Sequence, residues 1–143
     1  AAAALGVEFL TLVPRAELVP VAAVVAALPI AAISTDILVV NNLRDREEDA
    51  ETGKNTLTVR FGYGFSRAQF ALLLGMAYAI PPVFAASTGD LTVLLPMATL
   101  PLAVPLTRTV LTETAGDALN PALERTGKLL AAFAALFAVG LAL

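Results

Sequence analysis

Two aspartates, Asp45 and Asp49, stand four residues apart in the stretch NNLRDREEDAETGKNTLTVRFG. On a helix that spacing puts both carboxylates on one face, with their Cβ atoms about 5–6 Å apart. Two like charges that close repel each other unless a cation sits between them. Mg²⁺ suits the position, because it takes carboxylate oxygens, keeps several waters, and is commonly held by one or two carboxylates together with substrate phosphates. Gly53, Lys54, Asn55 and Thr56 follow, then Arg60, which read as a turn and a set of donors for phosphate oxygens. A diphosphate cannot approach bare carboxylates, but a divalent ion inverts the local sign and lets Lys54 and the arginines close the other side. The stretch therefore predicts a clamp for a metal and a diphosphate.

Several other readings of the same residues are open. Between Asn41 and Arg67 the acids Asp45, Glu47, Glu48, Asp49 and Glu51 are balanced by Arg44, Arg46, Lys54, Arg60 and Arg67. The sum near zero excludes a polybasic lipid anchor. A D-x-x-x-D spacing alone is weak, since helical pairs such as Arg44 with Glu48 occur on any solvated loop. An EF-hand fails for want of the D-x-D-x-D-G order, and a P-loop fails because no glycine stands five residues before Gly53. With no Cys and no His, the chain has no thiol nucleophile, disulfide, iron–sulfur ligand or imidazole base. Chemistry must run on oxygen ligands and basic side chains.

The elements that hold this stretch read as membrane spans. The chain is 58 % hydrophobic and 15 % charged, with a net charge of -3 and a mean hydropathy of +0.81. Four apolar stretches stand out: Leu18 to Val40, Gln69 to Ala86, Leu91 to Thr107 and Leu129 to Leu143. Roughly 20 helical residues cross a hydrocarbon core of about 30 Å, so the first is long enough alone, the next two are marginal and the last is short. Residues 1 to about 13 read as the tail of a preceding span. If the stretches alternate across the bilayer, segments 41–67 and 108–128 share one side. Arg44, Arg46, Lys54, Arg60, Arg67, Arg108, Arg125 and Lys128 then lie on that side and only Arg15 on the other. By the positive-inside rule the charged segment 41–67 is cytoplasmic. The fold expected is an all-α, multi-span transmembrane bundle, and a soluble helical bundle fits less well because these helices lack a polar face.

Pro29, Pro81, Pro82, Pro96, Pro101 and Pro105 fall inside the spans and predict kinks, which can frame a cavity. Asp36 lies near the cytoplasmic end of the first span, where the sequence reading puts its carboxylate within reach of water.

Beyond spacing, the string NNLRDREEDAETGKNTLTVRFG resembles the second aspartate-rich motif of the UbiA superfamily of membrane prenyltransferases. Its Asn-Asn-x-Arg-Asp start and Gly-Lys-x-Thr-Leu continuation are most similar to the branch that prenylates 1,4-dihydroxy-2-naphthoate in menaquinone synthesis. The later NPALERTGKLL, Asn120 to Leu130, resembles that branch's segment before its last helix. The resemblance implies a nine-helix bundle around a cavity open to lipid, in which two aspartate-rich motifs hold Mg²⁺ and the diphosphate of a polyprenyl donor. Asp45 and Asp49 match the metal-binding aspartates and Lys54 the basic residue, while Asn42, Arg44 and Arg60 are expected near the diphosphate. No side chain is assigned to covalent or acid–base catalysis. The family's first motif is absent, so residues 1–143 are expected to be the C-terminal portion of one prenyltransferase domain, inactive alone.

The implied partners are a polyprenyl diphosphate, an aromatic acceptor and the bilayer of the cell membrane, with no nucleic acid among them. Other branches of the superfamily, acting on 4-hydroxybenzoate, homogentisate, chlorophyll or geranylgeranylglyceryl phosphate type substrates, are alternatives. So are a transporter half gated by the charged segment and a purely structural membrane subunit with a solvated loop.

Overall fold

The computed structural model describes residues 21–114 and 116–143. The expected tail of a preceding span, Arg15, and the first residues of the first apolar stretch lie outside them. Five helices follow in order: α1 (Val21–Arg44), the short α2 (Arg46–Glu51), α3 (Leu57–Thr88), α4 (Leu100–Thr112) and α5 (Gly116–Ala142). A 3₁₀ segment, Thr92–Thr99, runs directly into α4. No strand occurs among the described residues.

Four segments are long and apolar enough to cross a membrane: Ala23–Arg44, Leu57–Thr88, Thr92–Thr112 and Gly116–Ala142. The second and fourth are longer than hydropathy alone suggests, because their first turns carry Arg60 and Arg67, and Asp117, Glu124, Arg125 and Lys128. Long charged side chains near a helix end reach back to the interface without interrupting the backbone. Segment 108–128 is thus mostly helix.

A break in helical dihedrals falls at a glycine and not at the prolines. Within α3 the backbone leaves helical dihedrals at Gly62 (φ 81°, ψ 175°), a region essentially restricted to glycine. Pro29, Pro81, Pro82 and Pro105 sit inside helices without such a break. Pro96 lies in the 3₁₀ segment and Pro101 in the first turn of α4, where a missing N–H leaves little unsatisfied.

Helix α1 packs against α3 and α5, and α5 covers the 3₁₀ segment. Ala32, Ile33, Asp36, Val39, Val40 and Leu43 form the buried stripe of α1 at helical spacing. Opposite them Phe70, Leu74 and Ala77 of α3 and Leu119, Ala122, Leu129, Phe133 and Phe137 of α5 close the core. Tyr78 meets Phe133 edge-on at 5.3 Å, and its hydroxyl is 2.6 Å from that of Thr99. Leu38, Leu72, Val83 and Val104 point outward, an arrangement suited to lipid and poorly suited to water.

In lipid, helices are held by close van der Waals packing and interhelical hydrogen bonds rather than by expulsion of water. The end opposite the charged segment shows both. Thr92 Oγ1 donates to the Gly140 carbonyl at 2.8 Å, and a Cβ on Gly140 would overlap the Thr92 carbonyl oxygen and lie 3.0 Å from its carbon. The obstruction is backbone and cannot rotate away. Gly140→Ala should therefore lower stability by about 1–3 kcal/mol, read as a fall in the thermal midpoint in detergent; an unchanged midpoint would refute this packing.

Candidate metal and diphosphate site

Helix α1 ends at Arg44, and Asp45 (φ -92°, ψ 7°) joins it to α2. The Asp49 amide donates to the Asp45 carbonyl at 2.8 Å, so the two residues are one helical turn apart as the spacing requires. After α2 the chain reverses at Gly53 (φ 76°), and the Lys54 amide donates to the Asp49 carbonyl at 2.8 Å. Glycine reaches that left-handed conformation without strain, and here it serves as a helix stop. The consequence is chemical, because the turn carries the Lys54 ammonium back to Asp49 Oδ1 at 2.9 Å.

Each aspartate faces a base of its own chain. Arg44 Nε donates to Asp45 Oδ1 at 2.6 Å and Arg44 Nη2 to Oδ2 at 2.9 Å, a two-pronged pair. The guanidinium takes the adjacent carboxylate, and no ion pair joins Arg44 to Glu48. Arg44 also reaches Asn41 Oδ1 at 2.9 Å and, across the bundle, Asn120 Oδ1 at 3.4 Å. A polar groove of about 400 Å³ opens beside these groups, lined by Arg44, Asp45, Glu47, Glu48, Gly116, Asp117 and Asn120. Asp49 is buried and does not line the groove; its carboxylate is held by Lys54. Asn42 is half-buried in the last turn of α1 and does not line the groove. Arg60 is outside it too, exposed with its guanidinium 5.5 Å from the Phe61 ring centre.

The groups around the groove come from both sides of the sequence. Arg67 donates from Nε to the Val110 carbonyl at 3.3 Å and from Nη2 to the Glu113 carbonyl at 2.7 Å, capping α4. Tyr63, next to the break at Gly62, meets the guanidinium groups of Arg46 and Arg67, 4.9 and 5.7 Å from its ring centre. These contacts gather the ends of α1, α3, α4 and α5 around the charged segment, in agreement with alternating spans.

Hydrogen bonding from Arg44 holds the Asp45 carboxyl below the usual carboxylate range, and the bond to Asp49 raises the Lys54 ammonium above its usual value. The lowered Asp45 favours the folded state above the ordinary carboxylate value, and that contribution is lost as pH falls through the lowered one. Asp45→Asn should therefore flatten the loss of stability below about pH 4, measured as thermal midpoint against pH. An unchanged acid limb would contradict the pair.

Could these residues hold Mg²⁺? Among the described residues no group of three or more His, Cys, Asp and Glu is placed to hold an ion. Two carboxylates one turn apart nevertheless match the oxygen donors of an ion that takes its remaining positions from water and phosphate. Their present partners, Arg44 and Lys54, are the side chains suited to the phosphate oxygens. The donor set fits an ion held jointly by protein and substrate.

Asp36 departs from the sequence reading. It is fully buried in the stripe of α1, and neither carboxylate oxygen has a partner among the described residues. The buried hydroxyls of α3 and α5 are committed elsewhere: Thr126 donates to the Ala122 carbonyl, and Thr58 and Ser66 bond to each other at 2.8 Å. A buried polar group without a hydrogen bond destabilises by about 1–3 kcal/mol. Asp36→Leu is thus expected to raise the thermal midpoint, and a lower midpoint would point to an unseen partner.

The UbiA prenyltransferase family model matches residues 1–125. This chain belongs to the UbiA prenyltransferase family. It is 39 % identical over 97 residues to the 1,4-dihydroxy-2-naphthoate octaprenyltransferase of Escherichia coli (strain K12), covering 67 % of this chain and 32 % of that protein. It is 36 % identical over 112 residues to the protein of the same name from Mycobacterium leprae, covering 72 % of this chain and 34 % of that protein. It is also similar to human UbiA prenyltransferase domain-containing protein 1, at 34 % identity over 105 residues, 73 % of this chain and 30 % of that protein. The chain thus spans about a third of the length of these relatives. No solved structure matches it. The helical membrane-spanning architecture is that expected of a UbiA protein.

Asn120 is a site contact the sequence reading left without a role. Its segment was singled out by resemblance, but its approach to Arg44 spans 76 residues and no local spacing encodes it.

Proposed function

We propose that this chain supplies the second metal and diphosphate motif of a Mg²⁺-dependent prenyltransferase that moves a polyprenyl group from its diphosphate to an aromatic acceptor. The acceptor we favour is 1,4-dihydroxy-2-naphthoate, the substrate named for the bacterial relatives, which places the reaction in menaquinone synthesis. The observation that carries the proposal is the pair Asp45 and Asp49, one helical turn apart, with Lys54 returned to them by the turn at Gly53. On this reading Asp45 and Asp49 hold Mg²⁺ and the segment 41–67 faces the cytoplasm from the cell membrane. Residues 1–143 alone are expected to be inactive.

When bound, the ion supplies positive charge that neutralises the diphosphate as a leaving group. The chain's own residues do the rest. Arg44 offers a planar fork and Lys54 a compact ammonium to the phosphate oxygens, and both strengthen their hold as charge builds on the departing group. The apolar faces of α1, α3 and α5 keep water from the allylic carbocation until the electron-rich ring attacks it. The ring then loses its carboxyl group as CO₂, so no His or Cys is needed. Asn42 and Arg60 are assigned to the outer approach of the diphosphate.

The test is to supply membranes containing the complete enzyme with polyprenyl diphosphate and candidate aromatic acceptors, with and without Mg²⁺, and to weigh the product. A Mg²⁺-dependent product with the mass of prenylated, decarboxylated naphthoate is expected. Prenylation of a different acceptor would move the chain to another UbiA branch, and the absence of any prenylated product would overturn the proposal.

A further inference from the structure

We propose that Asn120, on the first turns of α5, is a positioning residue that together with Asn41 keeps the Arg44 guanidinium aimed at the diphosphate when Asp45 turns to the metal. The inference rests on the clamp proposed above.

A guanidinium has five N–H donors in a fixed planar fork. In this structure the edge formed by Nε and Nη2 is occupied by both oxygens of Asp45. The rest of the group is held by two amide oxygens, Asn41 Oδ1 on Nη2 at 2.9 Å and Asn120 Oδ1 on Nη1 at 3.4 Å. If Asp45 gives its oxygens to an ion, the Nε and Nη2 edge is vacated and only the two asparagines still orient the group. That edge is the one suited to a two-pronged bond with a phosphate. Without them, a flexible arginine must be ordered at the moment of binding, which weakens it.

Asparagine is chemically apt for this task. An aspartate at 120 would compete with the diphosphate for Arg44 and add to the charge of Glu47, Glu48 and Asp117, which line the same groove. An amide oxygen accepts from the guanidinium without becoming a rival anion.

A second observation fixes the approach of α5. A Cβ on Gly116 would lie 2.9 Å from the Arg44 carbonyl oxygen, so the start of α5 is seated directly on Arg44. Asn120 is one turn further along the same helix face. The contact is therefore built by the docking of α5 rather than by chance extension of two surface side chains.

The experiment uses the complete enzyme and two readouts. The first is the concentration of inorganic diphosphate, in the presence of Mg²⁺, that half-protects segment 41–67 from proteolysis. The second is steady-state prenyl transfer, with KM for polyprenyl diphosphate and for the acceptor determined separately. Asn120→Ala should raise the half-protecting concentration and the donor KM roughly tenfold, the scale of losing a hydrogen bond to a charged group. The acceptor KM and kcat should stay within about twofold, and thermal stability should be unchanged because Asn120 is exposed. Asn41→Ala should act in the same direction, and in an Arg44→Lys background Asn120→Ala should add nothing. An unchanged half-protecting concentration, or an equal shift in the Arg44→Lys background, would overturn the proposal. Failure of the clamp itself is read separately, as parent-level activity in Asp45→Ala or Asp49→Ala.

Discussion

Asp45→Ala or Asp49→Ala in the complete enzyme is expected to reduce prenyl transfer by roughly a thousandfold, the scale on which preorganised charge acts at a developing anion. The two changes are equivalent in outcome and different in cause. Asp45→Ala frees Arg44, which has lost both oxygens of its two-pronged partner. Asp49→Ala removes the carboxylate of a buried residue and leaves the exposed Lys54 ammonium unpaired. In each case one of the two carboxylates assigned to the ion is missing. Neither residue belongs to the apolar core of α1, α3 and α5, so the protein should still be recovered folded from the membrane. The measurement is the rate of prenylated product formation at saturating Mg²⁺, and a rate near that of the parent in either variant would remove the assignment.

Lys54→Gln is expected to have the next largest effect, a rise of roughly 10- to 100-fold in KM for the prenyl diphosphate, as befits loss of a charge-assisted bond to phosphate. Glutamine keeps most of the length of the side chain and one donor group, so the loss is of charge rather than of reach. The same change leaves Asp49 without its cation. Mg²⁺ should then bind at least as readily in the absence of diphosphate, because no ion pair has to open first. Donor affinity and metal affinity thus move in opposite directions. A variant in which both are unchanged would show that Lys54 is a surface residue of no consequence to the site.

The fold was legible where the physics is one-dimensional. Hydropathy found the four spans because lipid demands long apolar helices, and the distribution of basic residues grouped their ends correctly. It under-read α3 and α5, whose first turns are charged yet helical, since a sliding average cannot see that Arg60, Arg67 and Lys128 lie where side chains can reach the interface. It gave no sign of the break in α3 at Gly62, where φ is positive. Bundles can re-satisfy the carbonyls that proline frees, whereas the dihedrals of Gly62 are open to hardly any other residue.

At the site, the i, i+4 spacing of Asp45 and Asp49 carried their separation by one helical turn, because a turn is a local property. The partner of each carboxylate did not follow from spacing in the same way. Arg44 takes Asp45 rather than Glu48, and its far partner Asn120 arrives only through the docking of α5. The burial of Asp36 was likewise invisible to sequence, since it depends on which face of α1 meets α3 and α5.

Whether Asp45 and Asp49 hold a divalent ion together with a diphosphate can be decided by counting ions. Mn²⁺, a close substitute for Mg²⁺ at oxygen ligands, can be titrated into the complete enzyme with inorganic diphosphate present and followed by electron paramagnetic resonance. The account predicts that the Asp45→Asn, Asp49→Asn double variant binds one Mn²⁺ fewer per molecule than the parent. Equal numbers in the two proteins would contradict it.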